Sequence, residues 1–587
     1  MDDSAFSRMR ELSPRRKTSL AGDLDSLADE QLAHFGIDPA SDIGQAIGTL
    51  ARRIYQAQED IQNLWLLTAQ NIQKLDRADR IAYFNAKKFL SFQLAKLLDT
   101  LQNPNRRSYQ SLDYSPSTVS AKGPYSVFDN VTAIFAANPV ITRTATYIYA
   151  CAEWIEDAFQ GKELLLEIYS RLLNPTSVSL ANQIVDLEAG PYADQYFAWN
   201  FNSGMAAIDG VLSHLLGRED VVITSRNIYG GAHQLLYDWF AKPSNLAIAI
   251  ESFDGFGAES LRESWQRVQS KYADRVSAGR HVYVYLESPS NPHGDVLDVP
   301  AICREAHARG WRVILDATVG TPFLCTPLQR SNPAERPDFV IHAYTKDLAG
   351  TGSVIAGVAI ARNEDMFIPK GQSMNGRAWN ETLFWNVYYV KGAFLNADAA
   401  FDVLQGLRTL EMRMLTKCIN TQILARFLAA HPAIRVRCSA LPGDPNHALA
   451  QQHMFLGLPS PLFTIDMGNL PRVAFQRFFD NLSPTFGHMI SLGQPNTIVS
   501  CPALTTHSEL DEQSQLRAGI TPTMIRFAVG DEDPRDLIAH LVATAQLAID
   551  PEVPGFSESF PTTDDINALI RQCYLQTHQR YVQAKTS

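Results

Sequence analysis

Four short apolar runs in the middle of the chain have the length and composition of buried strands. Each is rich in valine, isoleucine or leucine and is bounded by polar residues, as is typical of strands covered on both faces of a sheet. The runs cover residues 220–223, 281–287, 313–316 and 338–342. Segments with helical spacing of apolar residues separate them. This alternation predicts an α/β fold with a mostly parallel sheet.

Residues whose side chains can react or bind a ligand follow directly after these runs. Tyr229 follows the first, Asn291 the second, Asp316 ends the third, and Lys346 follows the fourth. Ligands of parallel sheets bind beyond the carboxyl ends of the strands, so we expect the four side chains at one edge. A Thr-Lys pair taken alone would favour a surface lysine. The three preceding strands, each followed by a functional side chain, favour a buried amine at Lys346 instead. Burial lowers the pKa of a lysine, as formation of a Schiff base requires.

These side chains suit pyridoxal 5′-phosphate (PLP). Lys346 would bind the aldehyde of the cofactor, and Asp316 would pair with its protonated ring nitrogen. Tyr229 would stack on the face of the ring. We therefore predict that PLP is the cofactor.

The cofactor phosphate needs hydrogen-bond donors. Gly204 and Met205 open a helical pattern directly after Ser203, which is a good capping residue. The free N–H groups of a helix N-terminus bind anions. Gly204 and Met205 are therefore predicted to bind the phosphate.

Ten short motifs, taken together, resemble the trans-sulfuration family of PLP-dependent enzymes, also called the Cys/Met metabolism family. This family includes cystathionine γ-synthase, cystathionine lyases, methionine γ-lyase and homoserine-ester sulfhydrylases. One motif would be weak evidence, but ten in the family's order are strong. They are YSRLLNPT from Tyr169, SGMAAI from Ser203, YGG from Tyr229, ESPSNP from Glu287, DATVGTP from Asp316, TK at Thr345, GLRTL from Gly406, SLG from Ser491, TTH from Thr505 and IRFAVGDED from Ile525.

The resemblance implies further cofactor-binding residues. Thr318 and Thr345 would lie at the cofactor, and Asn291 near the pyridine hydroxyl and the substrate carboxylate. Tyr169 and Arg171 would reach the phosphate of a neighbouring subunit, since a guanidinium fork suits phosphate. Each active site would then need two chains, so we expect at least a homodimer and, beyond it, a homotetramer.

The resemblance also implies the substrate-binding residues. Arg526 would hold the α-carboxylate of an amino acid by two parallel hydrogen bonds, with Ser491 beside it. The alternative for Arg526 is an ion pair with Asp531 or Glu532. The segment GLRTLEMRM from Gly406 is predicted to be one helix crossing between domains, with structural arginines.

The predicted function is that of an enzyme of sulfur amino-acid metabolism. It would catalyse γ-elimination or γ-replacement on a homoserine-ester or methionine-like substrate. Lys346 would move protons at the α and β carbons, and Tyr229 would protonate the leaving group. Ile490 stands where cystathionine-handling members often carry glutamate, which favours a substrate with an apolar γ side.

Three departures from the family's pattern accompany this prediction. Ala343 replaces a serine, Ala317 replaces an asparagine, and GTGS from Gly350 replaces a glycine-histidine run. The alternatives left open are a cystathionine synthase or lyase, a β-lyase or a transaminase of the same fold. A PLP-binding regulatory protein using its N-terminal helices is the alternative from another class.

The resemblance implies fold type I of the PLP-dependent transferases. Residues 1–120 lie outside the resemblance and are predicted to form an extra helical extension. The predicted segments are a helical N-terminal extension (1–120), an N-terminal arm (121–177), a PLP-binding large domain (178–392), a smaller α/β C-terminal domain (393–555) and a polar, helical tail (556–587).

In the extension, apolar residues at alternating spacings of four and three, from Ile43 to Leu64, predict one helix. Asp42 or Ser41 is its expected cap. A second helix is predicted from Ile81 to Leu101, followed by a linker at 103–124. This hairpin is expected to pack on its own catalytic domain or on a partner.

Composition excludes several other classes. The net charge of −11 disfavours nucleic-acid binding. No apolar run reaches the length of a membrane span, and the first residues lack the apolar core of a signal peptide. Seven cysteines without CxxC or zinc spacing indicate a reducing, cytoplasmic location and no metal site. Beside these exclusions, the resemblance implies small-molecule amino-acid substrates as the expected partners.

Overall fold

The computed structural model describes part of the 587-residue chain. The described residues are 22–34, 36–72, 74–75, 86, 138–147, 156, 159, 169–468, 470–502 and 521–586. The chain divides into two compact units, residues 1–140 with 146–168, and residues 141–145 with 169–587. The predicted helix at 81–101, apart from residue 86, and the predicted linker lie outside the described residues. The five predicted segment boundaries stay a prediction.

The N-terminal unit contains two packed helices, α1 (Leu24–His34) and α2 (Asp42–Ile72). Helix α2 confirms the prediction from the four-three spacing of apolar residues. Its first turn is capped by Ser41, whose Oγ accepts the N–H of Gly44 at 3.1 Å. The guanidinium of Arg52 contacts carboxylates of α1.

A seven-stranded sheet forms the centre of the second unit. Its order is β1-β7-β6-β5-β4-β2-β3. Strands β2 to β6 pair in parallel, whereas β7 is antiparallel to both β6 and β1. The predicted mostly parallel sheet is therefore confirmed. The strands are β1 (Tyr196–Phe201), β2 (Val221–Ser225), β3 (Ala249–Phe253), β4 (Val282–Glu287), β5 (Arg312–Asp316), β6 (Phe339–His342) and β7 (Gly357–Arg362).

Helices connect these strands and pack on the sheet. Capping residues determine where such helices begin. At the start of α4, for example, the Ser203 hydroxyl accepts the N–H of Ala206 at 3.1 Å. The helices are α3 (Pro175–Ala189), α4 (Gly204–Leu215), α5 (Gly230–Gln234), α6 (Ala258–Lys271), α7 (Ala273–Ser277), α8 (Val299–His307), α9 (Thr321–Leu324), α10 (Asn363–Met366) and α11 (Tyr389–Lys391). A separate two-stranded pair comprises β8 (Ser373–Met374) and β9 (Arg377–Ala378).

A five-stranded sheet follows, in the order β10-β11-β14-β13-β12. Only β12 and β13 pair in parallel within it. Its strands are β10 (Arg435–Arg437), β11 (Leu462–Asp466), β12 (Gly487–His488), β13 (Ile498–Ser500) and β14 (Met524–Ala528). The remaining helices of the second unit are α12 (Ala397–Leu407), which packs on α3, α13 (Leu410–Ala429), α14 (His447–His453), α15 (Arg472–Asp480), α16 (Pro534–Ala548) and α17 (Thr563–Thr586).

The chain around Gly406 corrects one prediction. We expected one continuous helix there, but α12 ends at Leu407 and α13 begins at Leu410. Thr409 interrupts the helix, with φ −113° and ψ 5°. Its hydroxyl donates to the carbonyl of Gly406 and accepts a bond from Arg413 Nε at 3.0 Å. These local bonds replace helical ones, as threonine hydroxyls often do.

One continuous cluster of buried apolar side chains joins the layers of the second unit. It includes Leu180 of α3, Val313 of β5, Ile423 of α13 and Ile525 of β14. Burial of this cluster supplies the main stabilising free energy that holds both sheets together. None of the helices in the described part of the chain has the length and apolarity needed to cross a membrane.

Candidate active site

A cavity of about 940 Å³ lies at the carboxyl ends of the parallel strands and extends to the second sheet. It collects every predicted site residue except Tyr169 and Arg171. Those lining it are Gly204, Met205, Tyr229, Asn291, Asp316, Thr318, Thr345, Lys346, Ser491 and Arg526.

Lys346 lies in the segment that follows β6 and lines the cavity. Its Nζ donates to Ser491 Oγ at 2.9 Å. Thr345, directly before it, is fixed by two bonds to the backbone of Ala356, so its hydroxyl is already engaged. Burial lowers the pKa of Lys346, and the positive charge of Arg526 lowers it further, while Asp347 opposes both effects. A lysine of this kind holds a larger neutral fraction, which is the nucleophilic form.

Asp316 closes β5 and faces the same cavity. Both the N–H and the hydroxyl of Thr318 donate to Asp316 Oδ1, at 3.0 and 2.6 Å. The Thr318 hydroxyl in turn accepts the N–H of Ala343 at 2.9 Å. Burial raises the pKa of Asp316, so a cation opposite this carboxylate would strengthen its charged form. A protonated ring nitrogen is such a cation.

Glu287 is a site residue that the sequence did not single out. It closes β4 and is buried; its Oε2 accepts the N–H of Tyr229 at 2.5 Å and its Oε1 that of Asn291 at 2.9 Å. One carboxylate therefore orients the loops of two predicted site residues. Burial, and then the charge of Asp316, raise the pKa of Glu287. The sequence contained a signal for Glu287, because a carboxylate ends an apolar run there just as Asp316 ends the next one.

The start of α4 provides an anion cradle. The N–H groups of Gly204 and Met205 belong to the first turn, where helices leave donors without intrahelical partners. A Cβ atom added at Gly204 would lie 2.7 Å from Cβ of Ala343. Glycine thus lets the helix N-terminus approach the segment that leads to Lys346. An anion cradle, a buried amine and a buried carboxylate in one cavity fit PLP.

Arg526 lies on β14 and is 2% exposed. It donates through Nη1 to Asn291 Oδ1 at 3.0 Å and through Nη2 to the carbonyl of Ser491 at 2.7 Å. Within the described residues its Nε has no partner. Burial lowers the pKa of Arg526 to about 10. A buried guanidinium with N–H groups to spare is suited to a carboxylate ligand.

The alternative ion pair of Arg526 does not form. Glu532 instead accepts the hydroxyl of Thr497 at 2.8 Å, and no ion pair joins Arg526 to Asp531 or Glu532 among the contacts of the described residues. The geometry therefore favours the predicted placement in the site.

Tyr169 and Arg171 do not reach the cavity of their own chain. The Arg171 guanidinium donates to the carbonyl of Tyr389 at 2.7 Å and lies 5.8 Å from the centre of the Tyr169 ring. Tyr169 itself is 41% exposed. Both side chains are accessible, as a contact with a neighbouring subunit would require.

The fold and the cavity define a PLP-dependent enzyme of fold type I. More particularly, the chain belongs to the Cys/Met metabolism PLP-dependent enzyme family, whose model matches residues 128–545. An L-methionine γ-lyase of Fusobacterium nucleatum subsp. polymorphum is 29% identical over 68% of this chain and 91% of its own length. An O-succinylhomoserine sulfhydrylase of Mycobacterium tuberculosis is 30% identical over 68% of this chain and 88% of its own length.

A solved structure supports the cofactor. It is a putative O-acetylhomoserine (thiol)-lyase of Campylobacter jejuni, which is 27% identical and has a TM-score of 0.59. The match covers 70% of this chain and 96% of the other, which carries N′-pyridoxyl-lysine-5′-monophosphate. The predicted family, fold class, cofactor and enzymatic nature are thus confirmed. The roles of individual residues stay predictions.

Proposed function

We propose that this enzyme catalyses γ-elimination or γ-replacement on an amino acid of the methionine or homoserine-ester type. The observation that carries the proposal is the position of Lys346 and Arg526 on either side of Ser491. Lys346 donates to the hydroxyl of Ser491, and Arg526 donates to its carbonyl. A proton-moving amine and a carboxylate-binding guanidinium therefore share one substrate position.

Each residue has a separate task in this proposal. PLP, when bound, supplies an acceptor for the electrons released at the α carbon. Arg526 holds the α-carboxylate and so fixes which bond of the substrate is broken. Lys346 takes the α proton and moves a second proton from the β carbon. Tyr229, which is 47% exposed in the cavity wall, delivers a proton to the leaving group.

Ile490 supports a preference for substrates with an uncharged γ substituent. It lines the cavity next to Ser491 but is 68% exposed, so it stands at the mouth of the cavity. Water near Ile490 partly solvates the charged distal end of a substrate such as cystathionine. The enzyme therefore discriminates less strongly against cystathionine than it would if Ile490 were buried. We expect about tenfold lower kcat/KM for cystathionine, which corresponds to about 1.4 kcal/mol.

A product screen tests the reaction class. The holoenzyme is incubated with methionine, cystathionine, cysteine and O-acyl-homoserines, with and without an added thiol. Keto acid with ammonia indicates elimination, and a new thioether indicates replacement. Amino transfer to an added keto acid would instead indicate transamination. No turnover of any substrate would contradict the proposal and favour a regulatory protein.

The variant Ile490→Glu tests specificity. A carboxylate at the mouth of the cavity should attract the distal ammonium of cystathionine and raise its kcat/KM relative to methionine. Met489→Glu is the matched control. This substitution adds the same charge one position earlier, but Met489 is not among the residues lining the cavity. A wild-type preference for cystathionine would show that Ile490 does not set specificity.

We also propose that the functional unit is at least a homodimer, with Tyr169 and Arg171 serving the neighbour's phosphate. Mixing Arg171→Ala with Lys346→Ala subunits should restore part of the activity, because some shared sites then contain both wild-type residues. Lack of recovery despite measured subunit exchange would mean that one chain builds the whole site. A homotetramer and a cytoplasmic location remain part of this proposal.

A further inference from the structure

Helix α13 buries a lysine beneath the active site. The Nζ of Lys417 donates to Asp347 Oδ1 at 2.8 Å and to the carbonyl oxygen of Gln494 at 2.7 Å. The side chains of Lys417 and Asp347 are 0% and 1% exposed. Asp347 directly follows Lys346, and Gln494 lies shortly after Ser491. One ammonium thus joins the segments that carry Lys346 and its hydrogen-bond partner.

The same helix holds Asp347 a second time. Arg413, one turn before Lys417, donates through Nη1 to the carbonyl of Asp347 at 2.8 Å. Its Nη2 donates to the carbonyl of Gly406 at 2.8 Å. Asp347 is therefore fixed through its backbone and its side chain from one rigid element.

The two joined segments also pack backbone to backbone. Gly493 has φ +79°, and a Cβ atom there would lie 2.5 Å from the nitrogen of Asp347 and 2.7 Å from Cα of Lys346. Only glycine permits this approach in this conformation. The relative placement of Lys346 and Ser491 consequently depends on how the loop at Gly493 and Gln494 is held.

Stability alone is a weak reason for a buried ion pair at this place. Removing two charges from water costs free energy that their attraction only partly offsets, and apolar pairs of similar volume are often as stable. We propose that Lys417 is a positioning residue for the reaction: by tying Asp347 to Gln494 it aligns Lys346 with Ser491 and the substrate. This inference rests on the proposed function of Lys346 as the residue that moves protons.

The test compares the double variant Asp347→Leu/Lys417→Met with wild-type holoenzyme. Both charges are absent, so no unpaired buried charge lowers stability, and Tm should stay close to the wild-type value. We expect kcat to fall about tenfold or more, since loss of alignment costs rate, whereas KM changes much less. Arg426→Met on the same helix is the control. Arg426 contacts Cys573 and does not line the cavity, so both constants should be unchanged.

A second readout does not depend on turnover. The absorbance of the bound cofactor at about 420 nm is titrated with pH in the holoenzyme. Its midpoint reports protonation of the Lys346 nitrogen in its imine with PLP. It should shift to lower pH in the double variant, because the negative charge of Asp347, which raises the pKa of the Lys346 amine, also favours the protonated imine. Wild-type kcat and midpoint in a stable double variant would overturn the inference. If that variant unfolds, Asp347→Asn/Lys417→Gln, which keeps a polar pair without charge, is measured in the same two ways.

Failure of the proposed function gives a different result. A wild-type enzyme that binds PLP but turns over no sulfur amino acid would refute that function. The absorbance titration would still decide whether the pair acts on Lys346.

Discussion

The two sheets contribute to the cavity in different ways. The seven-stranded sheet places Asp316 at the end of β5 and Lys346 shortly after β6, and both line the cavity at the proposed cofactor position. The five-stranded sheet places Arg526 within β14, and the loop after β12 carries Ser491. Both line the cavity at the proposed substrate position. We infer that one sheet holds the cofactor and the other selects the substrate. Variants on each side should therefore fail in different ways.

The largest effect is expected on the cofactor side, for Asp316→Asn. A buried charge that loses its partner costs about 3–5 kcal/mol, which corresponds to a fall in kcat/KM of roughly 10²- to 5 × 10³-fold. Affinity for PLP should fall as well, which equilibrium dialysis of the cofactor measures. Normal cofactor affinity with normal kcat would contradict the role of Asp316.

A large effect on the substrate side is expected for Arg526→Met. Loss of a buried charge-assisted contact costs about 2–5 kcal/mol, and it should appear mainly as a raised KM with PLP still bound. Arg526→Lys is the matched control. It keeps the charge but loses the planar fork, so it should recover only part of the loss.

The same variant makes a prediction about pH. The charge of Arg526 lowers the pKa of Lys346, so the pKa of Lys346 should rise in Arg526→Met. In the holoenzyme the same nitrogen titrates as the imine with PLP, and its protonated form should likewise persist to higher pH once the positive charge is removed. The absorbance midpoint of the holoenzyme should accordingly move upward, and a downward shift would contradict the electrostatic coupling of the two residues.

The smallest effect is expected where the two sides meet, for Ser491→Ala. Loss of one hydrogen bond to Lys346 costs about 1 kcal/mol, or roughly fivefold in kcat. Ser491→Thr keeps the hydroxyl and should retain most of the activity. A loss as large as that of Asp316→Asn would mean that Ser491 does more than orient the lysine.

The difference between the sheets also explains what the sequence could predict. Strands β4 to β6 are long enough to show an apolar run that stops at a functional residue, so Asp316 and Lys346 were found from the pattern. Strands β12 and β13 have two and three residues and give no periodic signal. Ser491 was therefore identified only through the resemblance.

Contacts between distant residues could not be predicted. Lys417 and Asp347 are separated by 70 positions, and nothing in the local pattern of α13 distinguishes a buried lysine from a surface one. Glu287 was visible as the end of a strand, but its bonds to Tyr229 and Asn291 depend on the folded loops. Ile490 was predicted to face the cavity, but its exposure at the mouth depends on the folded conformation of its loop and could not be predicted from the sequence.

The central claim, that Lys346 binds PLP covalently, is tested most directly by borohydride reduction of the holoenzyme followed by peptide mapping. Reduction should fix the cofactor on the peptide that contains Lys346, and the yellow absorbance at about 420 nm should disappear. The Lys346→Ala variant should show no fixed cofactor after the same treatment. Cofactor fixed on Lys417, Lys391 or any other lysine of the wild-type enzyme would contradict this account.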